Sequence, residues 1–276
     1  MQSSEETIIY YGSRQADFKN MIISLLNKGK LKKKYHSLLT SDESMKIFST
    51  VFTSTTADEN DNYEVYEQLG DITVNKFIIC YMYKRFPKLH CTKGVKVVAR
   101  LRINYGSKQS FAQIAESLGF WSFITASEDE RNRNKKPLLE DTLEAFFGAI
   151  EYIIDNKTLH GVGYAVVYDI LSVIFDAIDI SLKYENLYDS KTRLKELFDF
   201  YGEKIGSIKY IDTKNEDKIT KSTVYQILGN NNQIIMGEGY ASLKADAQQK
   251  AANYALNYLK KKGFEKPVPE IYKYFQ

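Results

Sequence analysis

The sequence predicts a two-domain chain of mixed class. An all-α domain is expected over residues 15–185, a small α+β domain of order α-β-β-β-α over residues 189–263, and a C-terminal tail over residues 264–276. Three observations carry this. Between Phe18 and Asp155 the apolar residues recur at helical spacing, with no strand alternation. Beyond Tyr188, short runs of β-forming residues lie between two helical patterns. Two acidic segments, Tyr66-Glu67-Gln68-Leu69-Gly70-Asp71 and Glu140-Asp141-Thr142-Leu143-Glu144-Ala145, each set carboxylates three or four residues apart inside apolar helices.

In chain order, residues 20–26 form a first amphipathic helix that ends near Lys28-Gly29. A long helix over 64–86 carries the first acidic segment on a core face marked by Leu69, Val74, Phe77, Ile78 and Met82, and Pro87 stops it. Helices follow over 95–105 and 110–118, the second closed by Gly119. Residues 125–136 are polar and charged, which predicts a loop; its Arg131, Arg133, Lys135 and Lys136 are either simply solvated or, because the loop immediately precedes the second acidic helix, placed to meet a polyanionic backbone. A strongly apolar helix over 138–154 bears the second acidic segment, and the helical pattern continues over 159–182. Asp189 or Ser190 caps a helix that runs to Phe200 and ends at Gly202. Strands are expected over 205–213, 222–228 and 234–240, with Gly229-Asn230-Asn231-Asn232 as a hairpin turn. An Ala-rich helix over 245–259 leads into Lys260-Lys261-Lys262, and the tail beyond Pro267 is expected to be extended and poorly anchored.

Composition excludes several classes. A formal net charge of +3 over 276 residues does not by itself imply a nucleic-acid partner. Cys80 and Cys91 make neither a disulfide framework nor a C-x-x-C metal pair, so a reducing compartment is expected, with Cys80 as a small buried hydrophobe. The longest apolar stretch, around 162–180, is broken by Tyr168, Asp169 and Asp176, which fits a buried helix and no membrane partner. The first residues lack a basic region followed by an apolar run, so the expected location is cytoplasmic, nuclear, or host cytoplasm for a viral chain. His36, His90 and His160 show no ligand spacing.

Carboxylates gathered at a half-buried site repel one another and lose hydration. The arrangement becomes favourable if cations occupy it. Hard divalent ions such as Mg²⁺ take oxygen ligands, and two of them suit an in-line phosphoryl displacement. For either segment alone, the competing reading is a solvated acidic helix face.

The stretch Glu64-Val65-Tyr66-Glu67-Gln68-Leu69-Gly70-Asp71 resembles the signature of the ribonuclease III family, and Leu139-Glu140-Asp141-Thr142-Leu143-Glu144-Ala145-Phe146-Phe147-Gly148-Ala149 is similar to that family's second acidic motif. Tyr83-Lys84-Arg85-Phe86-Pro87 looks like the family's helix end between them. Asp189-Ser190-Lys191-Thr192-Arg193-Leu194-Lys195-Glu196 resembles the opening of a double-stranded RNA-binding domain. Gly237 and Gly239, followed by Lys244 and an alanine-rich helix, resemble its close. The resemblance implies Glu67, Asp71, Asp141 and Glu144 as catalytic residues and ligands for Mg²⁺, with Mn²⁺ as a substitute, and Glu64 as an acidic position nearer the RNA. It implies a homodimer that hydrolyses double-stranded RNA without a small-molecule cofactor, leaving 5′-phosphate and 3′-hydroxyl ends with short 3′ overhangs. RNA contacts are expected from Lys191, Lys195 and Glu196 on the first helix of the small domain, from Lys218 and Lys221 around the first hairpin, and from Lys244 and Lys250 on the last helix.

The sequence departs from the family pattern in four places. Gln68 stands where the family has an aromatic residue that packs across the subunit interface, and Tyr63 where it has Asn. Ala245 replaces the second of two paired lysines, and the usual His of the first hairpin loop is missing, with Lys218 and Lys221 offered instead. The rival to the enzyme reading is a non-catalytic double-stranded-RNA binder acting as a sequestering protein, silencing suppressor or scaffold.

Overall fold

The computed structural model describes residues 7–229 and 232–275. The chain divides into two compact units, Met1–Ile180 and Ser181–Gln276. Among the described residues, no helix is long and apolar enough to cross a membrane.

The first unit runs β1 (Ile9–Tyr10), α1 (Ala16–Lys28), α2 (Lys33–Leu39), α3 (Asp42–Val51), α4 (Glu64–Arg85), α5 (Gly94–Tyr105), α6 (Lys108–Ser117), β2 (Ala126–Ser127), α7 (Glu128–Arg133), α8 (Lys135–Lys157) and α9 (Val162–Asp176). Its axis is α8. Leu138, Leu143, Phe146, Phe147, Ile150 and Ile154 are buried on several sides of that helix, so it packs against α3, α4, α6 and α9 together. Phe48, Phe52 and Phe120 pack their rings around Phe146 at centroid distances of 5.3, 6.4 and 5.4 Å.

Helices α4 and α8 approach closely, and glycine permits it. A Cβ at Gly70 would collide with the carbonyl of Glu144, and one at Gly148 would collide with the carbonyl of Tyr66. The two helices therefore meet backbone to backbone, each contributing the glycine that the other needs.

Three expectations are corrected in this unit. Residues 125–136 are not a loop. Ala126 pairs with Tyr10, and Ser127 caps α7 by accepting a bond from the Glu130 N–H at 3.2 Å. Arg131 lies over the rings of Tyr10 and Trp121, 3.9 Å from each, and donates to the carbonyls of Ile124 and Trp121. Arg133 pairs with Asp129 and Lys135 with Glu116 at the surface. Cys80 is exposed, not buried. The helix expected over 159–182 is shorter, beginning after Gly161, whose φ of +92° starts a new segment. Helices α2 and α3 have no separate signal in the sequence.

The second unit runs α10 (Tyr184–Leu187), α11 (Ser190–Tyr201), β3 (Ser207–Lys214), β4 (Thr220–Ile227), β5 (Gln233–Ala241), α12 (Lys244–Lys261) and α13 (Glu270–Phe275). Asp189 is the cap of α11, accepting from the Thr192 N–H at 2.9 Å. The three strands form one antiparallel sheet in chain order. Ala251, Ala252 and Ala255 bring α12 close to it over a core of Leu194, Leu197, Phe198, Val224 and Met236. Asn230 and Asn231 of the hairpin signal lie outside the described residues. On either side of them, Leu228 N–H donates to the Asn232 carbonyl at 2.9 Å. The tail is not extended: Tyr272 and Phe275 of α13 are buried, and the Tyr272 hydroxyl meets that of Tyr188 at 2.6 Å.

The glycine contact can be tested by substitution. Gly→Ala in an exposed helix gains about 1 kcal/mol of propensity, but forcing atoms into a packed backbone contact costs on the order of 3 kcal/mol or more. Gly148→Ala and Gly70→Ala are therefore expected to lower the thermal denaturation midpoint sharply. Gly229→Ala, where a Cβ meets nothing within 4 Å among the described residues, should leave it within a degree or two. Equal midpoints for the three variants would remove the constraint.

Candidate active site

The close approach of α4 and α8 brings their acidic faces together over an open cleft of about 840 Å³. The cleft is lined by Glu64, Glu67, Gln68, Asp71, Lys108, Glu140, Asp141 and Glu144, with Val65 and Ile72 at its edge. Glu67 and Asp71 stand one turn apart on α4, and Asp141 and Glu144 one turn apart on α8. Carboxylate oxygens of Glu67, Asp141 and Glu144 all lie within 4.8 Å of one another. Asp71 lines the same cleft outside that tight set. Its Oδ1 accepts from Asn75 Nδ2 at 2.7 Å, and Asn75 in turn accepts from Arg102 at 3.1 Å, which fixes the Asp71 side chain. Glu64 is exposed at the rim.

The electrostatics of the cleft are unfavourable as they stand. Burial first, and then the Asp71 charge, push the Glu144 carboxyl up to about 8. Burial and Asp141 push Glu67 to about 7, and Asp141 rises to about 6 through burial, against the lowering effect of Lys108. Glu144 is only 7% exposed, so little solvent is available to relieve the repulsion. An all-oxygen donor set with raised proton affinities and short mutual distances is what a hard divalent cation relieves, and these residues fit one.

Two participants were missed in the sequence. Lys108, the first residue of α6, is ion-paired with Glu140 and lies 4.0 Å from Asp141 Oδ1. The Tyr63 hydroxyl donates to Asp141 Oδ2 at 3.3 Å, and burial together with the Asp141 charge raises its pKa. Tyr63 was visible as a departure from a family pattern. Lys108 had no local signal, because it reaches the cleft from a third helix.

In the second unit, Lys191 Nζ donates to Gln248 Oε1 at 2.6 Å, and Lys244 pairs with Asp212 at 3.0 Å. Lys250 donates to the Tyr240 carbonyl at 2.9 Å, and Lys221 pairs with Glu238 at 2.7 Å. Lys195 is exposed on α11. Glu196 is engaged internally, accepting from the Tyr184 hydroxyl and from Lys266. Lys218 sits in the β3–β4 turn at φ +60°, a left-handed conformation held by the bond from the Ile219 N–H to Asn215 Oδ1 at 2.8 Å. The pairing of Thr220 with both Lys214 and Ala241 places this turn at the end of the sheet where α12 begins.

The two central helices of the domain converge on an acidic cleft whose carboxylates could hold a hard cation. Sequence comparison makes that reading specific. A family model described as the Ribonuclease III domain matches residues 64–153, the span from the start of α4 to near the end of α8. A protein of Invertebrate iridescent virus 6 provisionally named ribonuclease 3 is 46% identical over 289 aligned positions, covering 100% of this chain and 98% of the relative. A similarly named protein of Frog virus 3 is 40% identical over 79% of this chain and 57% of its own length. Ribonuclease 3 of Ligilactobacillus salivarius is 31% identical over 72% of this chain and 81% of its own. The chain belongs to the ribonuclease III family, and it is an endoribonuclease.

The raised proton affinities give the cleft a defined pH response. The folded protein binds these protons more tightly than the unfolded chain does. The contribution of Glu144 to stability is therefore full below its unfolded value of 4.5 and lost as pH rises through about 8. Metal-free protein is expected to lose stability from pH 6 to pH 8, and Glu144→Gln to flatten much of that fall. A saturating divalent cation should stabilise more at pH 8 than at pH 6. Calorimetric melting at the two pH values checks this; a wild-type and a Glu144→Gln protein with the same pH dependence would contradict it.

Proposed function

We propose that the protein is a Mg²⁺-dependent, homodimeric endonuclease of double-stranded RNA, with Mn²⁺ able to replace Mg²⁺ and no small-molecule cofactor. The observation that carries the reading is the convergence of Glu67, Asp141 and Glu144 within 4.8 Å across two helices, with Asp71 beside them. These four side chains would hold the ions. When bound, the ions supply the positive charge that activates a water for attack and stabilises the leaving 3′-oxygen. The chain's own contribution is position: the α4–α8 contact fixes both acidic pairs, Asn75 orients Asp71, and Tyr63 orients Asp141. The products would be 5′-phosphate and 3′-hydroxyl ends with short 3′ overhangs.

One cleft serves one strand, so cutting a duplex calls for two subunits. The outer face of α4 supports this pairing, because Val65 and Ile72 are exposed on either side of Gln68, one turn from the acidic residues. Gln68 substitutes a polar contact where the family places an aromatic ring. Glu144→Gln is expected to lower cleavage of long duplex RNA by roughly 10³-fold with little change in duplex binding. Mixed dimers of wild-type and variant subunits should nick one strand. Near-normal turnover by the variant in saturating Mg²⁺, or a wild-type protein that is monomeric by light scattering, would refute the reading.

We further propose that the second unit is a double-stranded RNA-binding domain. Its α-β-β-β-α order, and the gathering of Lys218 and Lys244 at one end of the sheet, support this. A basic helix start and a neighbouring turn can contact phosphates flanking an A-form groove. Lys218→Ala, Lys244→Ala and Lys250→Ala should each weaken duplex binding regardless of sequence, and each should reduce the slope of log affinity against log salt by about 1. Unchanged slopes would place the RNA elsewhere.

A further inference from the structure

Lys108 is the one basic side chain lining the acidic cleft among the described residues. It comes from α6 and not from either acidic helix, and its side chain is 53% exposed while its partners Glu140 and Asp141 are 14% and 20% exposed. The carboxylates are fixed in helical walls, whereas the ammonium rides on a flexible four-carbon stem that solvent reaches. Glu140 lies outside the tight carboxylate set of Glu67, Asp141 and Glu144, so its ion pair parks the ammonium beside the cluster and 4.0 Å from one of its members. A monovalent cation so placed partly offsets the charge that divalent ions would neutralise. Its positive charge can also favour an anionic phosphodiester entering the cleft.

We propose that Lys108 is a shared cation of the cleft: it serves Glu140 and Asp141 when no divalent ion is present, and turns to a phosphate oxygen of the RNA when the ions take over the carboxylate charge. The inference rests on the reading of this cleft as the metal-dependent nuclease site. No covalent step is involved; one ion pair is exchanged for another. The exchange makes metal and RNA cooperate, because divalent charge taken up at Asp141 loosens the hold on the one lysine that the phosphate needs.

The test uses the full-length protein. Binding of Mn²⁺ without RNA, followed by electron paramagnetic resonance, is expected to be about tenfold tighter in Lys108→Met, since a competing charge 4 Å from a ligand is removed. Lys108→Arg, which keeps the charge, should match the wild type. In steady-state cleavage of duplex RNA at saturating Mn²⁺, Lys108→Met should show a raised KM, and its kcat/KM should depend less steeply on salt, by about one unit of slope. A lysine that only braced the fold would change neither the Mn²⁺ affinity in this direction nor the salt slope. Equal Mn²⁺ affinity in the wild type and Lys108→Met, or an unchanged slope, overturns the inference while leaving the nuclease reading intact. A wild-type protein that binds no Mn²⁺ defeats the nuclease reading itself.

Discussion

The contact between α4 and α8 is the constraint on which the rest of the first unit depends. Each helix carries a glycine where the other's backbone passes, Gly70 against Glu144 and Gly148 against Tyr66. Any side chain there would separate the helices and pull Glu67 away from Asp141 and Glu144. The same residues that close the packing thus set the spacing of the carboxylates. The aromatic shell of Phe48, Phe52 and Phe120 around Phe146 holds α8 from its other side, so the helix cannot retreat from the charge it carries.

That packing stores electrostatic stress. Three carboxylates are held close, two of them largely withdrawn from water, and their proton affinities rise accordingly. The carboxylate charge is left only partly offset by the chain itself. The surrounding polar groups limit the stress without cancelling it. Asn75 holds Asp71, the Tyr63 hydroxyl donates to Asp141, and Lys108 places one positive charge beside Glu140. In the second unit the charges are paired, since Lys191, Gln248, Asp212 and Lys244 form a chain of hydrogen-bonded and ion-paired groups.

Much of this was legible in the sequence, because strong local signals coincided with strong packing. The long acidic helices, Asp189 as a cap and the three strands follow from periodicity and capping chemistry that tertiary contacts reinforce. The readings that failed share a cause. Residues 125–136 read as a loop because their charges look solvated, yet Arg131 is clasped between two aromatic rings and Glu130 accepts from Ser54 and Thr56. The tail read as extended because Pro267 and Pro269 break it, while the burial of Tyr272 and Phe275 depends on partners distant in sequence. Within the site, the acidic quartet was visible as two spaced pairs, but Lys108 was not, since nothing local to α6 announces that it ends at the cleft.

The α4–α8 contact brings Glu67, Asp71, Asp141 and Glu144 to one cleft, where they could hold a cation. Crystals of the protein grown with Mn²⁺ and measured for anomalous scattering test it most directly. Anomalous density is expected between the two acidic pairs, bounded by oxygens of Glu67, Asp141 and Glu144, and lost in Glu144→Gln. A cleft without such density at saturating Mn²⁺, or density held by other residues, would contradict it.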